Sequence, residues 1–341
     1  MRKTILFFVA FVLTMTGAKA QSALVATLSQ NGTVSQYYGA TALQEAYEAA
    51  EDGAVITLSS GTFNAVDINK AITLRGAGCI EDTHTLIVPT YLSGSFTITP
   101  TTDDNYFYME GIYCIDYVHV YGVNNNLKEL YISKCFFNGS VSVNMCYPHL
   151  TQCFFRNSLG CGQAGSWSNQ ITRTTCDNCF AYNANDGSGS FIDSKVVFNN
   201  CTLIKVNSRN STFHNCIIIS PYYALSGDNT VNNCVGTSSD NSPMPNMFAN
   251  FPNNSNVYVE DITQLFKTFV WTGSTNDLKG NELYELTETA AATYLGSDGT
   301  QVGIYGGSYP FSIAPSNPQV KKFTVSNTTD GDKLKVKINV E

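Results

Sequence analysis

The residues of this chain that could carry out chemistry are few and lie far apart in sequence. The four histidines, His84, His119, His149 and His214, share no local motif with a serine or cysteine that they would activate. The adjacent acids Asp103-Asp104 are interpreted as a solvated turn rather than as a catalytic or calcium-binding pair. Nucleophilic catalysis therefore has no support in the sequence.

The eleven cysteines are the second group with reactive side chains. Cys176-Asp177-Asn178-Cys179 has the spacing of half a zinc site or of a redox pair. No second pair and no histidine cluster accompanies it in the sequence. We therefore predict neither a metal site nor a cofactor.

Six of the cysteines recur in a short pattern, in which a polar residue precedes the cysteine and apolar residues follow it. They are Cys135, Cys153, Cys179, Cys201, Cys216 and Cys234, at intervals of 18, 26, 22, 15 and 18 residues. Such short, β-rich copies cannot bury their own apolar face, which is typical of a stacked solenoid. Asn precedes four of these cysteines and tolerates left-handed backbone conformations, so the pattern predicts an Asn ladder at a tight corner and a Cys ladder inside.

The unequal intervals favour a parallel β-helix over helical repeats, which keep a fixed length. A β-helix places length differences in outward loops while its strands keep a spacing of about 4.8 Å. Equivalent residues of neighbouring turns point in parallel, which does not suit the torsion of a disulfide. We therefore predict an all-β fold in which the ladder cysteines are free, buried thiols.

The first 20 residues have the features of a secretory signal peptide. Arg2 and Lys3 form the charged region, residues 5–15 the apolar core, and Ala18-Lys19-Ala20 the cleavage site. Cleavage would change the formal net charge from -8 to -11, because it removes three of the 19 basic residues and none of the 27 acids. We expect an exported protein, in the periplasm, at the cell surface or outside the cell, with no transmembrane segment. Its acidity excludes nucleic acid as a partner.

Two elements are predicted to flank the solenoid. Thr41 to Asp52 is predicted as an amphipathic capping helix, with Thr41 and Gln44 as a capping box. Residues 320–325 and 334–340 alternate on either side of an Asp-Gly turn and are predicted as a C-terminal β-hairpin, which would cover the end of the solenoid or lead to a surface attachment. Residues 236–256 are predicted as a loop or insertion.

Several stretches resemble the pectin-lyase-like right-handed parallel β-helix superfamily. Residues 39–46 (GATALQEA), 56–63 (ITLSSGTF) and 68–76 (INKAITLRG) are similar to its opening, and residues 284–286 (YEL) and 296–307 (GSDGTQVGIYGG) to its closing coil. The resemblance covers most of residues 41–310 and implies a right-handed parallel β-helix there. We therefore predict a β-helix domain with its N-terminal cap over residues 21–310, after the signal peptide 1–20 and before a C-terminal hairpin or tail, 311–341. It implies no particular activity, since the superfamily includes lyases, hydrolases, esterases and adhesins.

The catalytic motifs of the enzymatic branches of that superfamily are missing. The sequence has no Gly-His-Gly of the polygalacturonase-like hydrolases, and neither the Gln-Asp-Thr-Leu nor the Asp-Phe-Ile-Phe-Gly context of the methylesterase-like members. Pectate-lyase-like members use an arginine base and calcium-binding acids. Arg156, Arg173 and Arg209 have no acid cluster beside them in sequence.

The longest excursions between ladder cysteines indicate a candidate ligand groove. They cover residues 156–175 and 182–190 on consecutive turns, and loops that leave a rigid solenoid commonly carry function. Aromatic and polar side chains there would suit stacking and hydrogen bonding to a sugar ring. The groove residues are Arg156, Trp167, Arg173, Tyr182 and Asp186. The alternative is that both loops are tolerated insertions and that Trp167 covers a strand edge.

The tyrosines between Tyr106 and Tyr131 are a second candidate surface. These tyrosines would form a flat glycan platform, or would pack with half of their rings inward as strand alternation predicts. They are Tyr106, Tyr108, Tyr113, Tyr117 and Tyr121. The sequence favours a non-catalytic, secreted or cell-surface protein that binds a polysaccharide or another surface. The alternatives are a polysaccharide lyase or glycoside hydrolase, and a structural or adhesin spacer.

Overall fold

The computed structural model describes residues 24–81, 88–99, 107–122, 129–144, 146–161, 173–185, 195–208, 210–219, 225, 228–238, 244–252, 254–269, 284–312, 314, 320–330 and 333–340. The predicted signal peptide, residues 1–20, lies outside these ranges, and the export that it predicts stays a prediction. Within the described ranges no helix is long and apolar enough to cross a membrane.

Short strands dominate the described residues. In chain order they are β1 (Val25–Gln30), β2 (Thr33–Tyr38), β3 (Val55–Leu58), β4 (Gly61–Asn64), β5 (Thr73–Arg75), β6 (Thr90–Ser93), β7 (Phe96–Ile98), β8 (Phe107–Glu110), β9 (Ile112–Cys114), β10 (Val118–Tyr121), β11 (Glu129–Ser133), β12 (Phe136–Phe137), β13 (Val141–Asn144), β14 (Tyr147–Thr151), β15 (Phe154–Cys161), β16 (Arg173–Asp177), β17 (Phe180–Asn185), β18 (Lys195–Asn199), β19 (Thr202–Ile204), β20 (Val206–Asn207), β21 (Thr212–His214), β22 (Ile217–Ile219), β23 (Thr230–Asn232), β24 (Val235–Thr237), β25 (Val257–Val259), β26 (Val320–Asp330) and β27 (Lys333–Val340). The helices are α1 (Ala42–Ala49), α2 (Ile262–Leu265) and α3 (Glu288–Thr293).

The strands form a parallel β-solenoid of about seven turns, which confirms the predicted all-β parallel β-helix. The front sheet has the order β2-β1-β3-β5-β8-β11-β14-β16-β18-β21-β23, and the back sheet has the main order β25-β24-β22-β19-β17-β15-β12-β9-β6-β4. A branch of β7, β10, β13 and β20 adjoins the back sheet through β15 and β17. Each turn alternates between the sheets, so equivalent residues stack at the strand spacing of about 4.8 Å.

At the corner between the two sheets, successive turns place a residue with a left-handed backbone conformation. Lys134, Gln152, Asn178, Asn200, Asn215 and Asn233 have φ angles of 49°, 54°, 53°, 49°, 55° and 52°. A single left-handed residue turns the chain sharply, and Asn is among the few residues other than glycine that adopt this conformation readily. The predicted role of these residues is confirmed. Lys134 and Gln152 show that the corner imposes the conformation even where Asn is missing.

Inside this corner the cysteines form the predicted ladder, and all eleven cysteines of the chain are free and buried. The thiols are more than small apolar groups, because backbone N–H groups of one turn point at the sulfur of the next. Cys153 N donates to Cys179 Sγ at 3.4 Å, and Cys179 N donates to Cys201 Sγ at 3.4 Å. Asn256 Oδ1 ends the ladder by accepting from Cys234 N at 2.9 Å.

The N-terminal end of the solenoid is covered by α1, as predicted. Its apolar face buries Leu43, Ala46 and Tyr47 against the first turns. The predicted capping box is wrong, since the Thr41 side chain caps no backbone N–H and its hydroxyl donates to the Glu45 carboxylate at 2.6 Å. The helix is instead held at its C-terminus, where Lys70 Nζ donates to three main-chain carbonyls at 2.7–3.1 Å.

The other end of the core is closed by residues 244–252. Within this segment, Met247 is fully buried and Phe248 and Phe251 are buried in the same core as the ladder. A Cβ atom on Gly236 would lie 2.1 Å from Met247 Sδ. Position 236 therefore requires glycine for this segment to pack on it. Residues 236–256, predicted from the sequence as a loop or insertion, therefore contain the segment that covers this end of the core. The C-terminal hairpin is confirmed as the antiparallel pair β26-β27, which forms a sheet of its own among the described strands.

Candidate functional site

The outer face of the front sheet carries a regular grid of polar and aromatic residues. Strand alternation buries Ile132, Leu150 and Cys176 inside and sends their sequence neighbours outward. The outward residues of β8, β11, β14 and β16 are each half-buried or exposed. We call this set the front-sheet grid, which consists of Tyr108, Glu110, Tyr131, Ser133, Tyr147, His149, Thr151, Arg173, Thr175 and Asp177.

Three rings stack along the grid because parallel register places them at strand spacing. The centroids of Tyr108 and Tyr131 are 4.9 Å apart, and those of Tyr131 and His149 are 4.8 Å apart, with nearly parallel ring planes. The stacked faces cover one another, so the ring edges and the face of each terminal ring remain for a ligand. Tyr108, at one end, is 43% exposed.

Arg173 is the exposed cation of the grid. Its guanidinium carbon lies 5.7 Å from the ring centroid of Tyr147, close enough for a cation–π contact. No described carboxylate forms an ion pair with Arg173. Its planar set of donors is therefore suited to hydrogen-bonding a ligand.

Asp177 is one of the two half-buried carboxylates of the grid, and Glu110 is the other. Burial raises the pKa of the Asp177 carboxyl group, against the lowering effect of a hydrogen bond from Asn199 Nδ2, at 2.8 Å, and of the charge on His149. Glu110 stands three strands away in the same outward column, or about 14 Å. Paired carboxylates of glycosidases are about 5–9.5 Å apart, so these two acids do not form such a pair.

The outer face of the back sheet is apolar and is covered by the chain itself. Rings of Tyr113, Phe136, Phe154 and Phe180 stack at centroid distances of 4.3–4.8 Å, and Tyr284 continues the stack at 4.5 Å from Phe180. We call residues 284–311 the C-terminal strap. The strap packs Val302, Ile304 and Phe311 in the same cluster as these rings.

The strap is held by the corner residues. Asn178 Nδ2 donates to the carbonyl oxygens of Ile304 and Gly306 at 2.9 and 2.7 Å. Asn215 accepts from Ser297 N at 2.9 Å through its side chain. The corner asparagines therefore bind the strap, and the segment that resembles a closing coil runs along the outside of the solenoid.

The described residues of the predicted groove lie on two sheets. Arg156 and Tyr182 are on neighbouring back strands, β15 and β17, whereas Arg173 is on the front sheet. Arg156 Nη1 donates to Asn138 Oδ1 at 2.6 Å, and Tyr182 is only 7% exposed beneath the Lys205 ammonium. Trp167 and Asp186 lie outside the described residues. A groove containing all five residues stays a prediction.

The tyrosines of the second candidate surface do not share a face. Tyr108 is on the front sheet, Tyr113 on the back sheet, and Tyr121 on the branch strand β10. The prediction that half of them point inward is wrong, because each described one is half-buried or exposed. These strands are only three or four residues long. The inward and outward alternation therefore does not continue from one strand through a corner into the next. Tyr106 lies outside the described residues.

The histidines and cysteines make no metal cluster in the described part of the chain, where no group of three His, Cys, Asp or Glu residues could hold an ion. His149 belongs to the grid. His119 lies on β10, where burial lowers its pKa. Cys176 and Cys179 are both fully buried, with Cys176 in the front sheet and Cys179 at the corner. His84 lies outside the described residues.

Sequence reasoning did not find the grid, although a signal was present. The residue four positions before a ladder cysteine is outward, as in Tyr131, His149 and Thr175, and so is the residue two positions before, as in Asp177. Alignment of the turns on their cysteines would have shown these columns.

Comparison of the chain with protein-family models, with curated proteins and with solved structures found no match. The function must therefore be argued from the site itself.

Proposed function

We propose that this protein is an exported, non-catalytic binding protein that holds a carbohydrate chain on its front-sheet grid. The observation that carries the proposal is the contrast between the two outer faces. The strap covers the apolar back sheet, whereas the grid offers ring edges, a guanidinium group, hydroxyls and a carboxylate to the solvent.

The chemistry of the grid suits a neutral or weakly charged glycan. Sugars are bound by aromatic rings together with a few well-placed polar groups. The formal net charge of -8 disfavours a polyanionic chain. The rigid, parallel strands hold the polar groups in place before the ligand arrives, which reduces the entropic cost of binding.

A glycan array probed with the full chain tests the proposal, and calorimetry then measures the affinity of a glycan that binds. Tyr108→Ala and Arg173→Ala are expected to weaken binding about tenfold each. Tyr117→Ala is the matched control, because Tyr117 is 38% exposed but lies outside the front sheet. Equal losses of affinity in Tyr108→Ala and Tyr117→Ala would show that the ligand does not bind on the front-sheet grid. If the protein binds no glycan, the remaining candidate function is that of a structural spacer.

A second candidate, a polysaccharide lyase or glycoside hydrolase, is favoured by Asp177 alone. Burial raises the pKa of this carboxyl group, against the lowering effect of the charge on His149, and a raised pKa is what a general acid requires. Product analysis on each bound glycan decides between the two functions. Turnover that disappears in Asp177→Asn, with binding retained, would replace the non-catalytic function by the enzymatic one.

A further inference from the structure

The front sheet ends in an open edge at its N-terminal side. The outermost strand, β2, pairs only with β1 among the described strands, through the tight turn at Asn31-Gly32. Five of its six residues are exposed, and Val34 and Tyr38 are 67% and 59% exposed. No other described strand pairs with the outer side of β2.

This edge lacks the usual protection against strand pairing. Natural edge strands carry lysine, proline or a bulge, or are very short. β2 has six residues, no charge and no proline, and its register with β1 is unbroken. An edge of this kind is suited to addition of a strand from a partner.

The chain around the edge carries mainly acidic side chains, with Lys70 as the cation held at the C-terminus of α1. Residues 24–69 contain five acids and no Lys or Arg. The five acids are Glu45, Glu48, Glu51, Asp52 and Asp67. A strand that joins β2 is therefore expected to be basic.

The chain contains such a strand at its other end. β27 has lysines at 333, 335 and 337 and no acid. Of the described strands it pairs only with β26, and a two-stranded hairpin on its own is marginally stable in water. A third strand would give the hairpin the sheet that it lacks.

We propose that β27 of one copy adds to the β2 edge of a second copy. Among the described strands of one chain, β2 pairs only with β1 and the hairpin strands pair only with each other, so neither edge has a further strand there. The contact is heterologous, because it joins two different surfaces, and it generates rings or open chains of copies. The inference is independent of the proposed carbohydrate binding.

Sedimentation velocity on the full chain, over a range of concentrations and at about 0.05 M and about 0.5 M salt, tests the assembly. The mean mass should rise with concentration and fall with salt. Val34→Lys with Gln36→Lys should abolish the rise through like-charge repulsion. Adding Lys333→Glu, Lys335→Glu and Lys337→Glu to that variant should restore it.

Val257→Lys is the control, because Val257 is an exposed valine, at 42%, in the edge strand of the other sheet. It should assemble like the natural chain. A mass that stays monomeric at every concentration would overturn the proposal, as would assembly unaffected by the paired β2 lysines. Cross-links between β2 and β27 within a monomer would show that the hairpin docks on its own chain instead.

Discussion

At the level of single residues, the ladder cysteines satisfy two requirements of the tight corner. The position lies in the core, where a small apolar side chain is needed. The corner also leaves backbone groups without a strand partner, and a buried N–H without an acceptor is costly. The Cys179 sulfur accepts from Cys153 N and lies 3.3 Å from the carbonyl oxygen of Leu150. A thiol meets both requirements at once.

This role predicts a cost for removing one ladder thiol. Cys179→Ala should lower the free energy of unfolding by about 1–2 kcal/mol more than Cys114→Ala, because only Cys179 accepts the N–H of another turn. Both side chains are at most 1% exposed, so the volume lost is matched. Urea unfolding of the two variants measures the difference. Equal losses would show that the thiols act through packing alone.

Burial of the thiols also predicts a dependence on pH. Burial raises the pKa of Cys79 from 9.0 to about 12, and raises the pKa of Cys114 and Cys146 as well. The folded state thus favours the protonated thiol, so this stabilisation is complete below pH about 9 and is lost as pH rises towards 12.

Urea midpoints should therefore fall between pH about 8 and about 10.5. The fall should be shallower in Cys79→Ala. The native thiols should also resist iodoacetamide at pH about 8 and react once unfolded, because the thiolate is the nucleophile and these thiols are buried. Rapid alkylation of the folded chain would contradict the buried ladder.

At the level of elements, the corner and the strap depend on each other. The left-handed corner holds the Asn178 amide where it meets two strap carbonyls. The strap in turn covers the back-sheet rings. Neither the corner pattern nor the strap sequence reveals this dependence when considered alone.

Asn178→Gly should release the strap, and Asn233→Gly is its control. Both positions have positive φ, which glycine adopts without strain, but Asn178 alone donates to the strap. The expected difference in the free energy of unfolding is about 1–3 kcal/mol. Hydrogen exchange should rise across residues 284–311 in Asn178→Gly only. Unchanged exchange there would show that the apolar contacts and the other corner residues, such as Asn215, hold the strap without the Asn178 amide.

At the level of the whole molecule, the solenoid is a one-dimensional stack in which each turn contacts its neighbouring turns and, on the back face, the strap. Stability is then close to a sum of local terms, and the two ends need covers. α1 covers one end and residues 244–252 the other. A substitution that weakens one cover should therefore destabilise only the turns next to it.

Lys70→Ala tests this locality. It removes three bonds to the carbonyls at the C-terminus of α1, which should cost on the order of 1 kcal/mol. Hydrogen exchange should rise in residues 24–58 and stay unchanged in 195–237. Lys267→Ala is the control, because its ion pair with Glu285 is exposed and contributes little. Exchange that rises throughout would show that the chain opens as one cooperative unit.

The sequence by itself determined the solenoid, its left-handed corners and its buried cysteines. Each is a local relation between a residue type and a conformation, and it recurs in successive turns, as in Asn178-Cys179 and Asn200-Cys201. Only the tertiary structure decided which outer face is covered and which presents the grid. The contact between Asn178 and Ile304 spans 126 residues, and that between Asn215 and Ser297 spans 82. No periodic pattern encodes such contacts, because they depend on how the chain returns along a solenoid that has already formed.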